Sequence, residues 1–257
     1  DIIGISESKE SEGGNTDFVL DGYEWIGKAR KKNRGARFDH GGCGFWIKSA
    51  LMPVISPMNL GNDENKDVQW IQLLTGKGVF YFAIVYSRPC DTAGHKSILA
   101  HLKKMKARLE LMGGVVIMGD LNSRLKHSMT GDSLSTHNQY GELLYSFMMD
   151  TGMDYLRNED LILKDRHWTF YAENAGNGGR SVVDYFLVPM EEKDIFKSYS
   201  TRDDLAIDSQ HVIISCTMQV GIPLGDPWGV TNGRKINWDE ETKTKFSKSL
   251  TKLIEDM

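Results

Sequence analysis

The sequence predicts an α+β fold in which two β-sheets pack face to face and helices cover the outside. The first observation is a series of short runs rich in Val, Ile, Phe, Tyr and Trp, separated by Gly, Asn and Asp. The second is that only two long amphipathic helices interrupt these runs. This order lacks the strict strand–helix alternation that a Rossmann fold or an eightfold barrel requires.

Strands are predicted wherever apolar residues run together or alternate between turn residues. The predicted strands are Ile2–Ser6, Gly44–Lys48, Val68–Leu74, Val79–Tyr86, Val115–Gly119, His167–Tyr171, Val182–Val188 and Val212–Val220. They extend from the start of the chain to residue 220, and we therefore predict one domain over residues 1–220.

Each predicted helix carries an apolar stripe at helical spacing. The first stripe consists of Ile98, Leu102, Met105, Leu109 and Met112, with Lys103, Lys104, Lys106 and Arg108 on the other side and Gly113-Gly114 at the end. The second stripe consists of Tyr140, Leu143, Leu144, Phe147 and Met148, closed by Gly152. Both stripes are interpreted as core faces without a function of their own.

Composition excludes several classes of protein. The 257 residues are 40% apolar and 26% charged, which is ordinary for a globular chain that buries its own core. The three cysteines, Cys43, Cys90 and Cys216, include no C-x-x-C pair, so neither a disulfide framework nor a zinc site is predicted and a reducing compartment is favoured. No apolar run reaches the ~18 residues of a membrane helix, and no signal peptide is visible.

The two ends of the chain indicate a piece of a longer protein. The sequence opens on Asp1 directly before an apolar run. Residues 221–235 are rich in Pro and Gly and are predicted to be a linker. Asn237-Trp-Asp-Glu240 then resembles a helix N-cap, so we expect residues 221–257 to lead into a following domain.

One segment is strongly basic although the net charge is -4. Residues 28–37 contain no acid, and their basic residues are Lys28, Arg30, Lys31, Lys32, Arg34 and Arg37. Such a run forms either a solvated loop or a patch that contacts phosphates, and on its own the loop is the better interpretation.

Several polar residues stand where an apolar strand begins or ends. They are Glu7, Tyr86, Asp120, Asn122, Asp184 and His211. Taken singly, each is better explained as a turn, a solvated strand end or a hydrogen-bonded side chain. Asp184 is the least ordinary, because an ionisable group inside an apolar strand needs a partner when it is buried.

Together these residues match the needs of phosphodiester hydrolysis, which uses a divalent cation, an activated water and donors to the phosphoryl oxygens. Glu7 can supply an oxygen ligand to magnesium. Asp120 can accept a proton from the attacking water, while Asn122, two residues on, fixes its position and contacts phosphate.

The remaining residues can stabilise developing negative charge. A His held by a carboxylate can donate to the phosphoryl oxygens, so Asp184 and His211 form a sensible pair. Tyr86 can add a hydroxyl donor.

The motifs follow one another in the order of a known superfamily. Ser-Glu7-Ser, Tyr86-Ser-Arg-Pro, Gly119-Asp-Leu-Asn122, Ser181-Val-Val-Asp-Tyr185 and Ser209-Gln-His211 resemble those of the endonuclease/exonuclease/phosphatase superfamily, which includes deoxyribonuclease I and the apurinic endonucleases. The phrases Ile-Ile-Gly-Ile-Ser-Glu and Ile-Asn-Trp-Asp-Glu are similar to the reading frame of a LINE-type non-LTR retrotransposon.

The resemblance implies a four-layer sandwich of two sheets between helices, and Mg²⁺ or Mn²⁺ as cofactor. It also implies a DNA nick that leaves a 3′-hydroxyl to prime a covalently linked reverse transcriptase, and hence action in the nucleus. Under this resemblance, the basic segment becomes a phosphate contact. The residues expected to bind substrate are Arg88, Lys31, Lys32 and Arg34.

The chain departs from the superfamily pattern in two places. Gln210 stands where the family's Ser-Asp-His motif has Asp, and Gln can neither bind a metal as an ionised carboxylate does nor polarise the neighbouring His. The family's first strand, which ends in an Asn, is expected to be missing from this sequence, and its absence would leave an open sheet edge. Two alternatives therefore stand beside the endonuclease: a catalytically impaired DNA-binding domain, and a phosphodiesterase acting on an inositol phosphate or a sphingolipid.

Overall fold

A computed structural model describes residues 1–8, 20–28, 42–61, 65–132, 134–163, 167–172, 179–202 and 209–221. The chain divides into two units, Asp1–Ile222 and Pro223–Met257, and every described residue belongs to the first unit. Most of the basic segment 28–37 and nearly all of residues 221–257 lie outside the described residues. The predicted linker and its following helix therefore stay predictions.

Strands dominate the described residues. They are β1 (Ile2–Ser6), β2 (Tyr23–Lys28), β3 (Cys43–Lys48), β4 (Ile55–Pro57), β5 (Val68–Thr75), β6 (Gly78–Tyr86), β7 (Gly114–Asp120), β8 (Met153–Tyr155), β9 (Phe170–Ala172), β10 (Gly179–Ser181), β11 (Asp184–Pro189), β12 (Phe196–Arg202) and β13 (Ile213–Met218). The helices are α1 (Thr92–Leu109), α2 (His127–Thr130), α3 (Gln139–Thr151) and α4 (Glu159–Leu163), with 3₁₀ turns at Ser49–Val54 and Met190–Ile195.

A six-stranded sheet with the order β4-β5-β6-β7-β11-β8 forms the centre of the molecule. Strands β6 and β7 run parallel and are joined by α1, whereas their other neighbours in this sheet pair antiparallel. Its register aligns Tyr86 with Asp120 and Asp120 with Asp184. Three residues from distant parts of the sequence therefore lie side by side at one edge of the sheet.

The central sheet is buried on both faces. One face packs against α1 and α3 through side chains such as Leu102 and Leu144, which are both fully buried. The opposite face packs against the three-stranded sheet β1-β3-β2, where Phe45 and Ile47 are fully buried. The small pairs β9–β10 and β12–β13 complete the strands. The predicted sandwich of two sheets with helices on the outside is confirmed.

Every predicted strand overlaps a strand of the structure. Two details of the first helix differ from the sequence pattern. Met112, predicted on the core stripe, lies beyond the end of α1 and is 55% exposed. Lys106, predicted on the polar side, is only 8% exposed and forms an ion pair with Glu110 one turn later. Among the described residues, no helix combines the length and the apolar character that crossing a membrane requires.

Candidate active site

Asp120 ends β7 next to a glycine that the packing requires. The backbone of Gly119 has φ +126°, and a Cβ built on it would lie 2.2 Å from the carbonyl oxygen of Val85 on the neighbouring strand. Glycine alone fits so close an approach at this backbone angle. The close contact places the Asp120 carboxylate, which is 4% exposed, beside the end of β6.

Asn122 holds the Asp120 carboxylate in place. Its backbone N–H donates to Asp120 Oδ1 and its side-chain amide donates to Asp120 Oδ2, both at 2.8 Å. The same amide also donates to the backbone carbonyl of Ser87 at 2.8 Å. Asn122 adopts φ +48°, a left-handed backbone angle that Asn tolerates better than most residues. Since both amide hydrogens are engaged, the predicted phosphate contact of Asn122 would have to displace one of these bonds.

Asp184 begins β11 and pairs with His211. The Nδ1 of His211 lies 3.0 Å from Asp184 Oδ2. The backbone N–H of Asp184 donates to the hydroxyl of Thr169, and the carbonyl of Thr169 accepts from Val212, the residue after His211. Thr169 is fully buried, so it fixes the carboxylate and the imidazole relative to one another.

The surroundings of His211 favour its charged form. Burial on its own lowers the pKa of this imidazole, but the hydrogen bond and charge of Asp184, together with the carboxylates of Asp120 and Glu7, outweigh burial and raise the pKa above its usual value. The side chain stays 35% exposed, which leaves it open to a ligand. Because the carboxylate occupies Nδ1, the Nε2 N–H is the atom available to donate.

Tyr86, at the end of β6, and Glu7, just after β1, bring two further strand ends into the site. Burial is the main reason that the pKa of the Tyr86 hydroxyl rises to about 12, and the charges of Glu7 and Asp120 and a hydrogen bond with Glu7 add to it. The hydroxyl is therefore a donor at neutral pH. Glu7 follows β1 with φ +58°, a left-handed backbone angle that is unfavourable for Glu.

Asp120 is electrostatically unusual. Burial raises its pKa most, followed by repulsion from Asp184, with a smaller contribution from Glu7; the charge of His211 and the hydrogen bond from the Asn122 backbone oppose the rise. The pKa reaches about 7. A carboxyl group with a pKa near the working pH is suited to accept and release a proton.

The donor set fits a hard divalent cation. Ligand atoms of Asp120, Asp184 and His211 lie within 4.8 Å of one another, close enough to hold a metal ion. However, Asp184 already accepts from His211, and both oxygens of Asp120 accept from Asn122. Glu7 shares one hydrogen bond with Tyr86 and keeps further lone pairs for a cation. Three converging carboxylates also repel one another, and a cation would relieve that repulsion.

The remaining predicted residues divide into two groups. Gln210 is exposed, its carbonyl accepts from the N–H of Tyr171, and it lies beside His211. His211 has Asp184 as its carboxylate partner, so the imidazole is held by a carboxylate although Gln210 cannot supply one. Arg88 lies near Tyr86, and its buried Nε has no hydrogen-bond partner among the described residues. Lys31, Lys32 and Arg34 lie outside the described residues.

Four buried polar residues behind the site were missed by the sequence argument. They are Ser87, His95, Ser123 and Thr169, each 0 or 1% exposed. A signal was present for three of them, because Ser87 follows Tyr86, Ser123 follows Asn122, and Thr169 lies in a predicted strand. His95 carried no such signal, since a His in the first turn of a helix is ordinary.

His95 is expected to make the folded state less stable as the pH is lowered. Burial lowers the pKa of this imidazole to about 4, and a hydrogen bond with the Tyr140 backbone opposes the shift only partly. Between pH 6.5 and 4 the unfolded chain binds a proton that the folded chain does not, so unfolding becomes easier by roughly 3 kcal/mol across this window. Urea unfolding at pH 7 and pH 5 measures the slope. His95→Gln is the matched control. If its free energy of unfolding falls as steeply between pH 7 and pH 5 as that of the parent, His95 is not the cause of the pH dependence.

The fold and the site together define a hydrolase of the nuclease and phosphatase type. Strand ends of a two-sheet sandwich present a held carboxylate, a carboxylate–imidazole pair and a tyrosine hydroxyl to one point. The chain belongs to the Endonuclease/Exonuclease/phosphatase family, whose model matches residues 1–191. No curated protein matches the sequence.

Solved structures share the fold at low sequence identity. The endonuclease domain of TRAS1, a telomere-specific non-LTR retrotransposon, is 14% identical with a TM-score of 0.58 and covers 78% of this chain and 82% of that one. The AP endonuclease LMAP from Leishmania major is 15% identical with a TM-score of 0.64, covering 85% of this chain and 78% of that one. The Xenopus laevis APE2 catalytic domain is 14% identical with a TM-score of 0.62, covering 87% and 85%.

Proposed function

We propose that this domain is a Mg²⁺-dependent DNA endonuclease that nicks one strand of target DNA during movement of a LINE-type retrotransposon. One observation carries the proposal. Asp120, held at both oxygens by Asn122, lies beside an Asp184–His211 pair in which the hydrogen bond and charge of Asp184 raise the pKa of the imidazole. A proton acceptor and a proton donor thus flank the same point, which is the arrangement that hydrolysis of a phosphodiester needs.

In the proposed reaction, water attacks the phosphorus atom and its proton passes to Asp120. A bond forms between the water oxygen and phosphorus, and the bond from phosphorus to the 3′-oxygen breaks. The Nε2 N–H of His211 donates to a phosphoryl oxygen as negative charge develops there. The departing 3′-oxygen takes up a proton from solvent, so the products are a 3′-hydroxyl and a 5′-phosphate.

Glu7 is the residue proposed to hold Mg²⁺, with Mn²⁺ as a substitute. When bound, the cation would withdraw charge from the phosphate and the leaving oxygen. The Tyr86 hydroxyl, whose raised pKa keeps it protonated, orients the Glu7 carboxylate through their hydrogen bond. We further propose that the guanidinium of Arg88, whose Nε has no hydrogen-bond partner among the described residues, contacts a phosphate.

The DNA substrate and the retrotransposon setting are supported by sequence phrases and by a shared fold. The sequence phrases at both ends of the chain resemble a LINE-type reading frame, and the TRAS1 domain has the same fold. Contacts from the side chains of Lys31, Lys32 and Arg34 to the DNA phosphates would be independent of the DNA sequence and sensitive to salt. A reverse transcriptase region in the full-length protein and action in the nucleus belong to the same proposal.

A plasmid-nicking assay tests the function. With Mg²⁺ the chain is expected to convert supercoiled DNA to open circles, and chelation of the metal to abolish the reaction. Glu7→Gln, which keeps the shape but loses the charge, is expected to raise the Mg²⁺ concentration for half-maximal rate roughly tenfold to a hundredfold. The nicked ends are expected to prime a DNA polymerase directly, because they carry 3′-hydroxyls.

Asp150→Asn is the control for this assay, since Asp150 is an exposed residue of α3 that pairs with Lys103. It is expected to leave both the rate and the metal requirement unchanged. Absence of nicking by the parent chain in Mg²⁺ and Mn²⁺ would contradict the endonuclease. Nicking by Glu7→Gln with an unchanged metal requirement would remove Glu7 from the metal site.

Gln210 favours a second candidate, a DNA-binding domain with impaired catalysis. This exposed neutral side chain stands next to His211, where the family resemblance places a carboxylate. Gln210→Asp separates the two candidates. A rate gain of tenfold or more would indicate an impaired catalyst, whereas DNA binding without nicking even in this variant would indicate a binding domain.

A further inference from the structure

His95 occupies an unusual place for a polar side chain. It lies in the first turn of α1, where Asp91 caps the helix by accepting from the N–H of Gly94 at 2.8 Å. The ring is 1% exposed and packs edge-on against Tyr140 with ring centroids 4.8 Å apart. A buried imidazole in an otherwise apolar layer costs free energy of folding unless its nitrogens are bonded. Its hydrogen bonds therefore indicate why it is there.

The ring joins two loops of the active site from behind. Nδ1 lies 2.7 Å from the hydroxyl of Ser87, and Nε2 lies 3.5 Å from the hydroxyl of Ser123. Ser87 follows Tyr86 at the end of β6, and Ser123 follows Asn122 after β7. Both serines are fully buried, so water does not compete for these bonds.

The hydrogen-bond partners of His95 indicate which ring nitrogen carries the proton. The single proton of the Ser123 hydroxyl goes to the carbonyl of Leu121 at 3.0 Å, so its oxygen can only accept from the His95 ring, whose N–H also has the Tyr140 backbone as a partner. Nδ1 then has no proton and accepts from the Ser87 hydroxyl. A neutral ring satisfies both partners at once.

The backbone of Ser87 transmits this restraint to the catalytic groups. Its N–H donates to the carbonyl of Asp120, and its carbonyl accepts from the side-chain amide of Asn122, both at 2.8 Å. That amide also holds Asp120 Oδ2. A shift of the Ser87 peptide would therefore rotate the Asn122 amide and release the carboxylate.

We propose that His95 is a positioning residue that fixes the Ser87 peptide and, through it, Asn122 and the carboxylate of Asp120. His95 touches neither substrate nor metal. The consequence for reaction rate rests on the proposed nuclease function, whereas the restraint itself does not. A misplacement of catalytic groups by a fraction of an ångström lowers a rate without weakening substrate binding.

The test compares kcat and KM for plasmid nicking in His95→Leu, Ser87→Ala and the double variant. Each single change is expected to lower kcat about tenfold while KM stays within about twofold. The double variant is expected to be no slower than the slower single, because both remove one restraint. His95→Gln is expected to keep at least half of the parent kcat, since its amide can accept from Ser87 and donate to Ser123.

His101→Leu is the matched control. His101 also lies on α1, and its Nε2 accepts a hydrogen bond from Trp70 Nε1 at 3.1 Å, away from the two catalytic loops. Parent-like kcat in both His95→Leu and Ser87→Ala, or a multiplicative loss in the double variant, would overturn the proposal. An equal loss of kcat in His101→Leu would also overturn it, because a general loss of packing would then explain the effect.

A spectroscopic readout separates this proposal from the nuclease function. In the ¹H–¹⁵N spectrum, the side-chain amide of Asn122 is expected to exchange slowly, because both hydrogens are bonded. Its signals are expected to shift and exchange faster in His95→Leu and Ser87→Ala, but not in His101→Leu. Unmoved signals would overturn the proposal whether or not the parent nicks DNA. Moved signals with an inactive parent would leave the restraint standing and reject the nuclease.

Discussion

Asp120→Asn is expected to lower the rate of phosphodiester cleavage by about 10²–10⁴-fold. The substitution keeps the shape of the side chain and removes its capacity to accept a proton from water. DNA binding is expected to change by less than threefold, because Asp120 faces its own loop and the Asp184–His211 pair. Single-turnover nicking and a binding isotherm, both at one salt concentration, measure the two effects separately.

Stability provides the control for this prediction. The new amide would face two donors of Asn122, which costs free energy, but removal of the charge relieves repulsion from Asp184 and Glu7. These effects oppose one another, so the thermal midpoint is expected to change little. A variant with more than a tenth of the parent rate would contradict the role of Asp120. A variant that is inactive because it is unfolded would be recognised by its midpoint, and Asp120→Glu would then be measured instead.

Asp184→Asn and His211→Gln are each expected to lower the rate by about 10²–10⁴-fold, and the double variant by no more than the worse single. The reason is that the 3.0 Å bond between the two side chains makes them one unit. Loss of either partner removes the carboxylate-held imidazole that donates to the phosphate in the proposed reaction. Losses that multiply in the double variant would show that the two residues act independently.

The pKa of His211 gives a second readout for this pair. Since the hydrogen bond and charge of Asp184 are what raise it against the effect of burial, Asp184→Asn is expected to lower the pKa of His211. Titration of the imidazole signals by NMR in the parent and the variant measures the shift. An unchanged pKa of His211 in Asp184→Asn would show that a group other than Asp184 raises it. Asp150→Asn, a substitution at an exposed carboxylate, serves as the control.

Much of the candidate site could be predicted because strand ends are visible in the sequence. Apolar runs ending in Glu7, Tyr86 and Asp120 show where three strands stop, and Asp184 and His211 stand at the starts of two more. The order of the motifs then connected them through the family resemblance. The sequence could not show that the side-chain amide of Asn122 donates to both Asp120 and Ser87, because Ser87 is 35 residues away along the chain.

Several of the strands that the sequence did not reveal share one character, although β2 (Tyr23–Lys28) does not. Strands such as β8 (Met153–Tyr155), β10 (Gly179–Ser181) and β12 (Phe196–Arg202) are short or polar. Their periodicity is too weak to register, and only pairing with a neighbour makes them strands. Thr169 likewise lies 15 residues before Asp184 along the chain, and its position behind Asp184 depends on a hydroxyl that accepts from two backbone N–H groups, so the sequence did not show it.

By itself, the sequence determined the sandwich fold, most of its strands and the residue types that converge on the site. These properties depend on local periodicity and on turn residues, which short stretches of chain already contain. Tertiary structure alone decided the supporting contacts: the Asn122 amide donates to the Ser87 carbonyl, and His95 supports the Ser87 peptide from inside the core. Such pairings depend on register between strands that are far apart along the chain, so they exist only once the sheets have formed.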